Sequence, residues 1–192
     1  MLTVVTPASA IDLASLDVVK AALGISDSTG DNSLPPLISA ASAAIARECN
    51  RVFVRETVEE SLPLGWPGML LLARYPVAFI VQITENGIEA APSDYAVDSF
   101  TGIIERRRTD WPRGRLVVRY VAGYAPEEMP LDIVQALVLL VAHFRSSNGR
   151  DPLLRAEETT DIERLEYFVP TDGALPGPVS ALLAPHRKLA GA

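Results

Sequence analysis

The apolar residues of this chain change their spacing twice along its length, and this change limits the folds open to it. Up to about Arg51 they recur every three or four residues, which is the helical period. From Val52 to Tyr124 they alternate, as in strands, and after Pro130 the helical period returns. The pattern predicts an α+β protein: a small α-helical bundle with a β-rich inserted domain and an extended C-terminal arm.

This pattern also divides the chain into four segments. The predicted segments are N-terminal helices over residues 1–51, a β-rich region over 52–124, a core helix over 125–149 that packs with the N-terminal helices, and an extended arm over 150–192. A chain of 192 residues, of which 48% are hydrophobic, can bury a core without a metal ion or a disulfide. We therefore expect one globular protein with an attached arm.

Local signals place the N-terminal helices. Ser15 is positioned to cap the first helix, and Gly24 to end it in the left-handed conformation. Pro35 and Pro36 fall in the first turn of the second helix, where a missing amide hydrogen costs little. The apolar stripe of that helix ends at Cys49, which we interpret as a small buried hydrophobe.

The β-rich region contains one sharp local signal. Asn86 and Gly87 both tolerate a positive φ angle and stand between two apolar runs, so they predict a tight hairpin turn. Prolines mark breaks at Leu62-Pro63, Pro67-Gly68 and Tyr75-Pro76 between the β-branched runs, and the pattern predicts five or six strands in total.

The helix predicted from Ile133 to Phe144 is apolar on nearly every side. Such a helix must be covered on two faces, either by the rest of the same chain or by a neighbouring subunit. The arm that follows has five prolines and only short apolar groups. It is predicted to order on a partner and to contain at most a short helix near Val179 to Leu183, a disordered tail being the alternative.

Composition excludes several classes of function. A net charge of −7 disfavours nonspecific binding to the outside of a nucleic-acid duplex. One cysteine and two separated histidines provide no disulfide framework and no metal-ligand spacing, and no nucleotide-binding or nucleophile motif is present. No apolar run is long enough to span a bilayer. We expect no cofactor, no metal and no membrane partner.

One pair of acids offers a catalytic alternative. Asp94 and Asp98 flank three residues of a predicted strand, and two carboxylates on one strand could act as acid and base in a small hydrolase-type enzyme. Without a third polar partner nearby in the sequence, solvated acids at a strand end are the favoured interpretation.

The basic residues are nearly all arginines and they cluster. Only two of the 17 are lysines, while Arg106, Arg107 and Arg108 are followed closely by three further arginines. The planar guanidinium suits carboxylates and phosphates at interfaces. The cluster could dock an acidic neighbour or face nucleic acid, or it could be a solvated hairpin.

The order of several short segments resembles a known family. These segments are Leu16 to Leu23, Asp31-Asn32-Ser33-Leu34, Cys49-Asn50-Arg51, Tyr75-Pro76-Val77, Asn86-Gly87, Asp94-Tyr95, Gly102-Ile103-Ile104, Val118 to Tyr124 and Met129 to Ile133. They resemble bacteriophage head-tail connector proteins, also called head-completion adaptors, which have relatives in gene transfer agents. Ala122-Gly123-Tyr124 after a strand, followed by Pro130 before an apolar helix, is the most specific combination.

The resemblance implies a structural protein rather than an enzyme. It implies a dodecameric ring of this chain between the portal and the stopper or tail component, with DNA passing through the channel without sequence-specific binding. It also implies synthesis in the bacterial host cytoplasm and a final place in the neck of the virion. A stopper or tail-terminator role in the same neck is the alternative.

The partner-binding residues expected at the ring or portal interface are Arg106, Arg107, Arg108, Val138, His143, Phe144, Leu182 and Leu183. His143 is interpreted as a core or interface histidine because it lies within the apolar helix.

Overall fold

The computed structural model describes residues 1–28, 31–64, 69–107, 113–147, 156–159, 163–166 and 175–188, with 156–159 and 163–166 as backbone only. The chain forms two compact units, each built from two separate stretches. The β unit comprises Met1–Ile11 and Val52–Glu128, and the helical unit comprises Asp12–Arg51 and Met129–Ala192. The α+β class predicted from the sequence is confirmed.

The described residues of the β unit form two antiparallel sheets. The five-stranded sheet has the order β1 (Leu2–Thr6), β2 (Glu56–Leu64), β8 (Gly114–Ala122), β4 (Val77–Glu85) and β5 (Ile88–Glu89). The three-stranded sheet has the order β3 (Leu70–Leu71), β7 (Ile103–Arg106) and β6 (Tyr95–Val97). Each strand pairs with neighbours that run in the opposite direction.

The core of the β unit brings residues of both sheets together. Alternate residues of β8 are buried, including Leu116, Val118 and Tyr120. They belong to one apolar cluster with Leu72 and with Ile104 of the three-stranded sheet. Because side chains alternate along a strand, the intervening residues of β8 lie on the outer face of the five-stranded sheet.

The predicted hairpin is confirmed. Asn86 and Gly87 connect β4 to β5, with φ angles of 51° and 85°. Positive φ at both central residues matches the right-handed twist of the flanking strands.

Gly123 explains the Ala-Gly-Tyr signal at the end of β8. Its φ angle is 99°, and a Cβ atom there would lie 2.4 Å from the carbonyl oxygen of Val54. The neighbouring Tyr124 amide donates to the carbonyl of Phe53 at 2.7 Å. Only glycine allows the two backbone segments to approach this closely.

The helical unit contains α1 (Leu16–Ala22), α2 (Leu34–Glu48), α3 (Leu131–Ser147) and α4 (Gly177–Leu183). The predicted helix ends are confirmed: Ser15 Oγ accepts from the Val18 amide at 3.3 Å, and Gly24 has a φ angle of 69°.

The apolar helix α3 is covered largely by its own chain. Its buried residues are Ile133, Ala136, Leu137, Val138, Leu140 and Val141. Both α2 and α4 pack against it, so two of its sides are covered within the helical unit.

Residues 175–188 of the C-terminal segment pack against the helices of the helical unit. Val179 and Leu183 of α4 are buried. Beyond α4, His186 Nε2 lies 2.6 Å from Asp132 Oδ2, and the Lys188 amide donates to the carbonyl of Cys49 at 2.8 Å. The short helix expected near Val179 is therefore present, and it packs against α3 instead of belonging to an extended arm.

Two features differ from the sequence pattern. The pattern favours helix up to Arg51 and does not predict β1, whose extended conformation depends on pairing with β2. It also does not predict the pairing of β9 (Ala156–Thr159) with β10 (Glu163–Glu166) in the expected arm. β1, β9 and β10 have only four or five residues each, which is too few to show a clear alternation of their own.

Candidate functional site

The predicted arginines gather at one end of the β unit. Arg106 is the last residue of β7 and Arg107 follows it, whereas Arg113 directly precedes β8 and Arg115 is the second residue of β8. The turn between β4 and β5 lies at the same end, because the Asn86 amide donates to the carbonyl of Arg115 at 2.9 Å. We call residues 85–88, 106–107 and 113–115 the hairpin end. Arg108 lies outside the described residues.

The hairpin end is held rigidly by one side chain. Asn86 Oδ1 accepts from the Arg115 amide at 2.9 Å, and Asn86 Nδ2 donates to the carbonyl of Arg113 at 3.1 Å. Gly114 has a φ angle of 132°, and a Cβ atom there would lie 1.9 Å from Asn86 Oδ1. The two hydrogen bonds of the Asn86 side chain hold the backbone from which Arg113 and Arg115 project.

Some of the arginine charge is neutralised within the unit. Arg106 forms an ion pair with Glu85 at 3.0 Å, and the Arg107 Nε donates to the carbonyl of Tyr95 at 2.9 Å. Arg113 and Arg115 are exposed and form no ion pair within the described part of the chain. The hairpin end thus presents guanidinium groups that can bind a carboxylate or a phosphate.

The remaining predicted interface residues belong to the helical unit and differ in exposure. Val138 and Leu183 are buried in that unit, at 6% and 0% exposure. Leu182, His143 and Phe144 are half-buried. The rings of His143 and Phe144 lie 6.2 Å apart, centroid to centroid. Half burial leaves part of each of these three side chains exposed to solvent in the described chain.

The acid pair does not form a catalytic arrangement. Asp98 Oδ1 accepts from the amides of Phe100 at 2.9 Å and Thr101 at 3.3 Å, which closes the turn between β6 and β7. Hydrogen bonds from Thr101 and Phe100 lower the pKa of Asp98, so it is a poor general acid at neutral pH. Asp94 instead ends a short 3-10 helix, Pro92–Asp94. A shallow cavity of about 300 Å³ beside Asp98 is lined also by Ile103 and Glu105.

The sequence pattern missed a buried polar pair. Glu60 is 6% exposed and accepts from the Tyr120 hydroxyl at 2.9 Å and from the Ala73 amide at 2.8 Å. The Arg74 amide donates in turn to the Tyr120 hydroxyl at 3.2 Å. Burial, followed by the charge of Glu60, raises the pKa of Tyr120. The pair ties the loop after β3 to the five-stranded sheet and has a structural role.

Cys49 is buried, as expected. Burial, together with the charge of Glu48, raises the pKa of its thiol to about 11. The thiol therefore stays protonated at neutral pH and is a weak nucleophile.

Among the described residues, no group of three or more histidine, cysteine or acidic side chains could hold a metal ion. None of the helices in that part of the chain has the length and apolar character to cross a bilayer.

Comparison with protein families shows the family to which the chain belongs. The model of a family described as head completion protein matches residues 12–189, which include nearly all of both units. The chain belongs to the head completion protein family. The family resemblance found in the sequence is confirmed, and membership of this family points to a structural protein rather than an enzyme.

Solved structures with a similar fold come from gene transfer agent particles. One is from the neck of an empty particle computed with C6 symmetry, and one from the neck of a native particle computed with C12 symmetry; both have a TM-score of 0.61. A third, with a TM-score of 0.63, is from the virion of a native particle. Each is 22% identical to this chain and covers 100% of it and 98% of its own length. No curated protein matches the chain.

Proposed function

We propose that this protein is a head-tail connector in the neck of a tailed phage or a phage-like particle. Copies of the chain form a ring, a dodecamer, between the portal and the stopper or tail component, and DNA passes through the central channel. The observation that carries this proposal is the family match over residues 12–189. The fold shared over the full chain with neck proteins computed with C12 and C6 symmetry supports a ring.

The charge of the protein fits a channel that does not retain DNA. The net charge is −7, so a ring of such chains is strongly acidic and repels phosphate. DNA therefore slides through without sequence-specific binding. The chain is made in the cytoplasm of the bacterial host and completes its assembly on the particle.

The hairpin end is the part of the β unit best suited to an acidic protein neighbour. Its exposed Arg113 and Arg115 stand on a backbone that Asn86 fixes, so binding costs little further ordering. A carboxylate-bearing surface of the portal or of the tail component is the expected partner. His143, Phe144 and Leu182 provide the corresponding contact from the helical unit.

Deletion of the gene followed by electron microscopy of the particles tests the connector role. We expect heads that lack an attached tail, and a ring of density below the portal once the gene is restored. Density further down the neck would assign the chain to a stopper or tail-terminator instead. Normal particles without the gene would contradict the proposal.

Two variants separate the connector from the enzyme alternative and test the hairpin end. In the deletion background, the double variant Asp94→Asn with Asp98→Asn should restore particle assembly as well as the wild-type chain does. If the chain were a hydrolase, the same two substitutions would abolish its activity. Arg113→Gln combined with Arg115→Gln should reduce incorporation into particles. Arg119→Gln is the matched control, because Arg119 already pairs with Glu59 at 2.7 Å.

A further inference from the structure

The turn between β6 and β7 holds a phenylalanine in water. Phe100 lies at the centre of residues 98–102, which we call the Phe100 turn, and it is 76% exposed. The turn uses the backbone amide of Phe100, which donates to Asp98 Oδ1 at 2.9 Å. Because the ring buries little area in this chain, the fold gains little from an aromatic side chain at this position. Exposed aromatic rings are typical of residues that bind another protein.

The backbone of the Phe100 turn is fixed to both sheets of the β unit. The Leu72 amide, directly after β3, donates to the Gly102 carbonyl at 2.9 Å. The Val77 amide, at the start of β4, donates to the Ser99 carbonyl at 2.7 Å. A ring that projects from a fixed backbone can enter a pocket of a partner with little further loss of conformational entropy.

A shallow cavity adjoins the Phe100 turn on the three-stranded sheet. Ile103 and Glu105 of β7 line it, and both lie on the face opposite the buried Ile104, because side chains alternate along a strand. Its volume is about 300 Å³, and its lining also includes Ala96, Val97 and Asp98. The cavity therefore lies on the outer face of this sheet and combines apolar side chains with two carboxylates.

The charge around the Phe100 turn is negative. Residues 96–105 include Asp98 and Glu105 and contain no lysine or arginine. An arginine or lysine from a partner could lay its aliphatic stem against the apolar lining and place its cation beside the two carboxylates. A partner with acidic residues at this place would be repelled. Charge thus selects a partner with a basic residue beside the surface that receives Phe100.

The Phe100 turn and the hairpin end lie at opposite ends of the β unit. β7 leads from the Phe100 turn to Arg106 of the hairpin end. β8 begins in the hairpin end and finishes at Ala122, whose partner Val77 is bonded to the Phe100 turn. The two ends carry charges of opposite sign, so they suit different partners. A connector has two different neighbours, one on each side.

We propose that the Phe100 turn and the adjoining cavity bind a neck protein other than this chain, at the opposite end of the β unit from the acidic neighbour of the hairpin end. Phe100 enters an apolar pocket of that protein, and an arginine or lysine beside the pocket enters the cavity at Asp98 and Glu105. The inference rests on the proposed function, because it describes the second neighbour of the connector by its chemistry. Another copy of this chain fits less well, since its net charge is −7.

Removal of the ring tests the anchor. Phe100→Ser is expressed beside the wild-type chain, and mass spectrometry compares its share in purified particles with its share in the cell. We expect its share in particles to fall at least about tenfold, because truncating a residue that dominates an interface has effects of this size. Its denaturant midpoint should match that of the wild type, since the ring is exposed.

Val18→Ser is the matched control for this experiment. Val18 is 46% exposed in α1 of the helical unit, outside the proposed surface. Its share in particles should equal its share in the cell. Incorporation of Phe100→Ser at the level of this control would overturn the proposal.

Reversal of one charge tests the chemistry of the partner. Glu105→Arg places a cation where the proposal puts the basic side chain of the neighbour, so its share in particles should also fall severalfold. Glu127→Arg is the control, because Glu127 is likewise exposed in the β unit but does not line the cavity. Equal incorporation of the two variants would overturn the assigned partner chemistry.

Photocrosslinking identifies the partner without depending on the folding of Phe100→Ser. Replacing Phe100 with p-benzoylphenylalanine keeps an aromatic ring there, and ultraviolet light links it to the chain that lies against it. In assembled particles we expect an adduct with the combined mass of this chain and a different neck protein. The same amino acid in place of Val18 should give no such adduct.

The crosslinking outcomes separate this contact from the proposed function. Adducts at multiples of the chain mass would show that a second copy covers Phe100, and the absence of any adduct would show that no chain does. Either result overturns the contact and leaves the connector role intact. Absence of the wild-type chain from particles would reject the proposed function and the contact together.

Discussion

Two carboxylates that are adjacent in β2 face opposite sides of the five-stranded sheet. Glu59 lies on the outer face and pairs with Arg119 at 2.7 Å, with both side chains more than a third exposed. Glu60 lies on the inner face, is 6% exposed, and accepts from the Tyr120 hydroxyl at 2.9 Å. The partners, Arg119 and Tyr120, are also adjacent in the sequence.

The difference shows that solvent exposure, rather than formal charge, determines how much a polar contact contributes to stability. Water solvates Glu59 and Arg119 whether or not they meet, so their ion pair contributes little. Nothing replaces the partners of Glu60 once one is removed, because water does not reach them. The buried hydrogen bond from Tyr120 to Glu60 should therefore matter more to stability than the exposed ion pair beside it.

The largest expected effect follows from removing the buried carboxylate. Glu60→Ala leaves the Tyr120 hydroxyl and the Ala73 amide without their acceptor, and should lower the free energy of unfolding by about 3 kcal/mol. Denaturant unfolding of Glu60→Ala and of Glu59→Ala measures the contrast. Equal losses in the two variants would break the comparison.

Removing only the hydroxyl should have a smaller effect. Tyr120→Phe keeps the ring in the core but leaves the Arg74 amide without its acceptor, and should cost about 1–2 kcal/mol. Denaturant midpoints at neutral pH measure the change. A variant as stable as the wild type would show that the hydroxyl contributes nothing.

Alkaline pH should reveal the same hydroxyl in another way. Burial and the charge of Glu60 raise the pKa of Tyr120, so the folded state holds its proton more tightly than the unfolded chain. This stabilisation is complete below the unfolded pKa and is lost as the pH rises above about 10, by at most about 1.4 kcal/mol per unit. Between pH 9 and 11, the free energy of unfolding should fall less steeply with rising pH in Tyr120→Phe than in the wild type. Identical slopes in the two proteins would contradict this assignment.

The outer pair should give the smallest effect. Arg119→Met removes the charge and keeps most of the side-chain volume, and should change stability by less than about 1 kcal/mol. Any loss should diminish in 1 M salt, because salt screens exposed charges. A loss above 2 kcal/mol that salt leaves unchanged would show that the outer pair is not solvated as an exposed pair should be.

The sequence predicted the elements whose signals are local. Ser15 and Gly24 set the ends of α1, and Asn86-Gly87 set the turn between β4 and β5, since each acts on its immediate neighbours. It did not predict β1, because the extended conformation of that segment depends on β2, more than fifty residues away. The docking of α4 was likewise beyond local pattern, since Val179 and Leu183 are buried through packing against α3.

The site shows the same division. The sequence showed that the arginines cluster, but it did not show which of them form ion pairs. Arg106 pairs with Glu85, whereas Arg113 and Arg115 are exposed. Glu60 resembled any other acid in an alternating strand. Only the register of β2 against β8 placed it beside Tyr120 and away from water.

The sequence by itself determined the α+β class, the hairpin turn and the family, because these depend on periodicity and on order along the chain. The tertiary structure decided which acids are buried, which arginines are neutralised and which strands lie at the edges of the sheet. Those properties arise from contacts between residues far apart in the chain, and such contacts leave no periodic trace in the sequence.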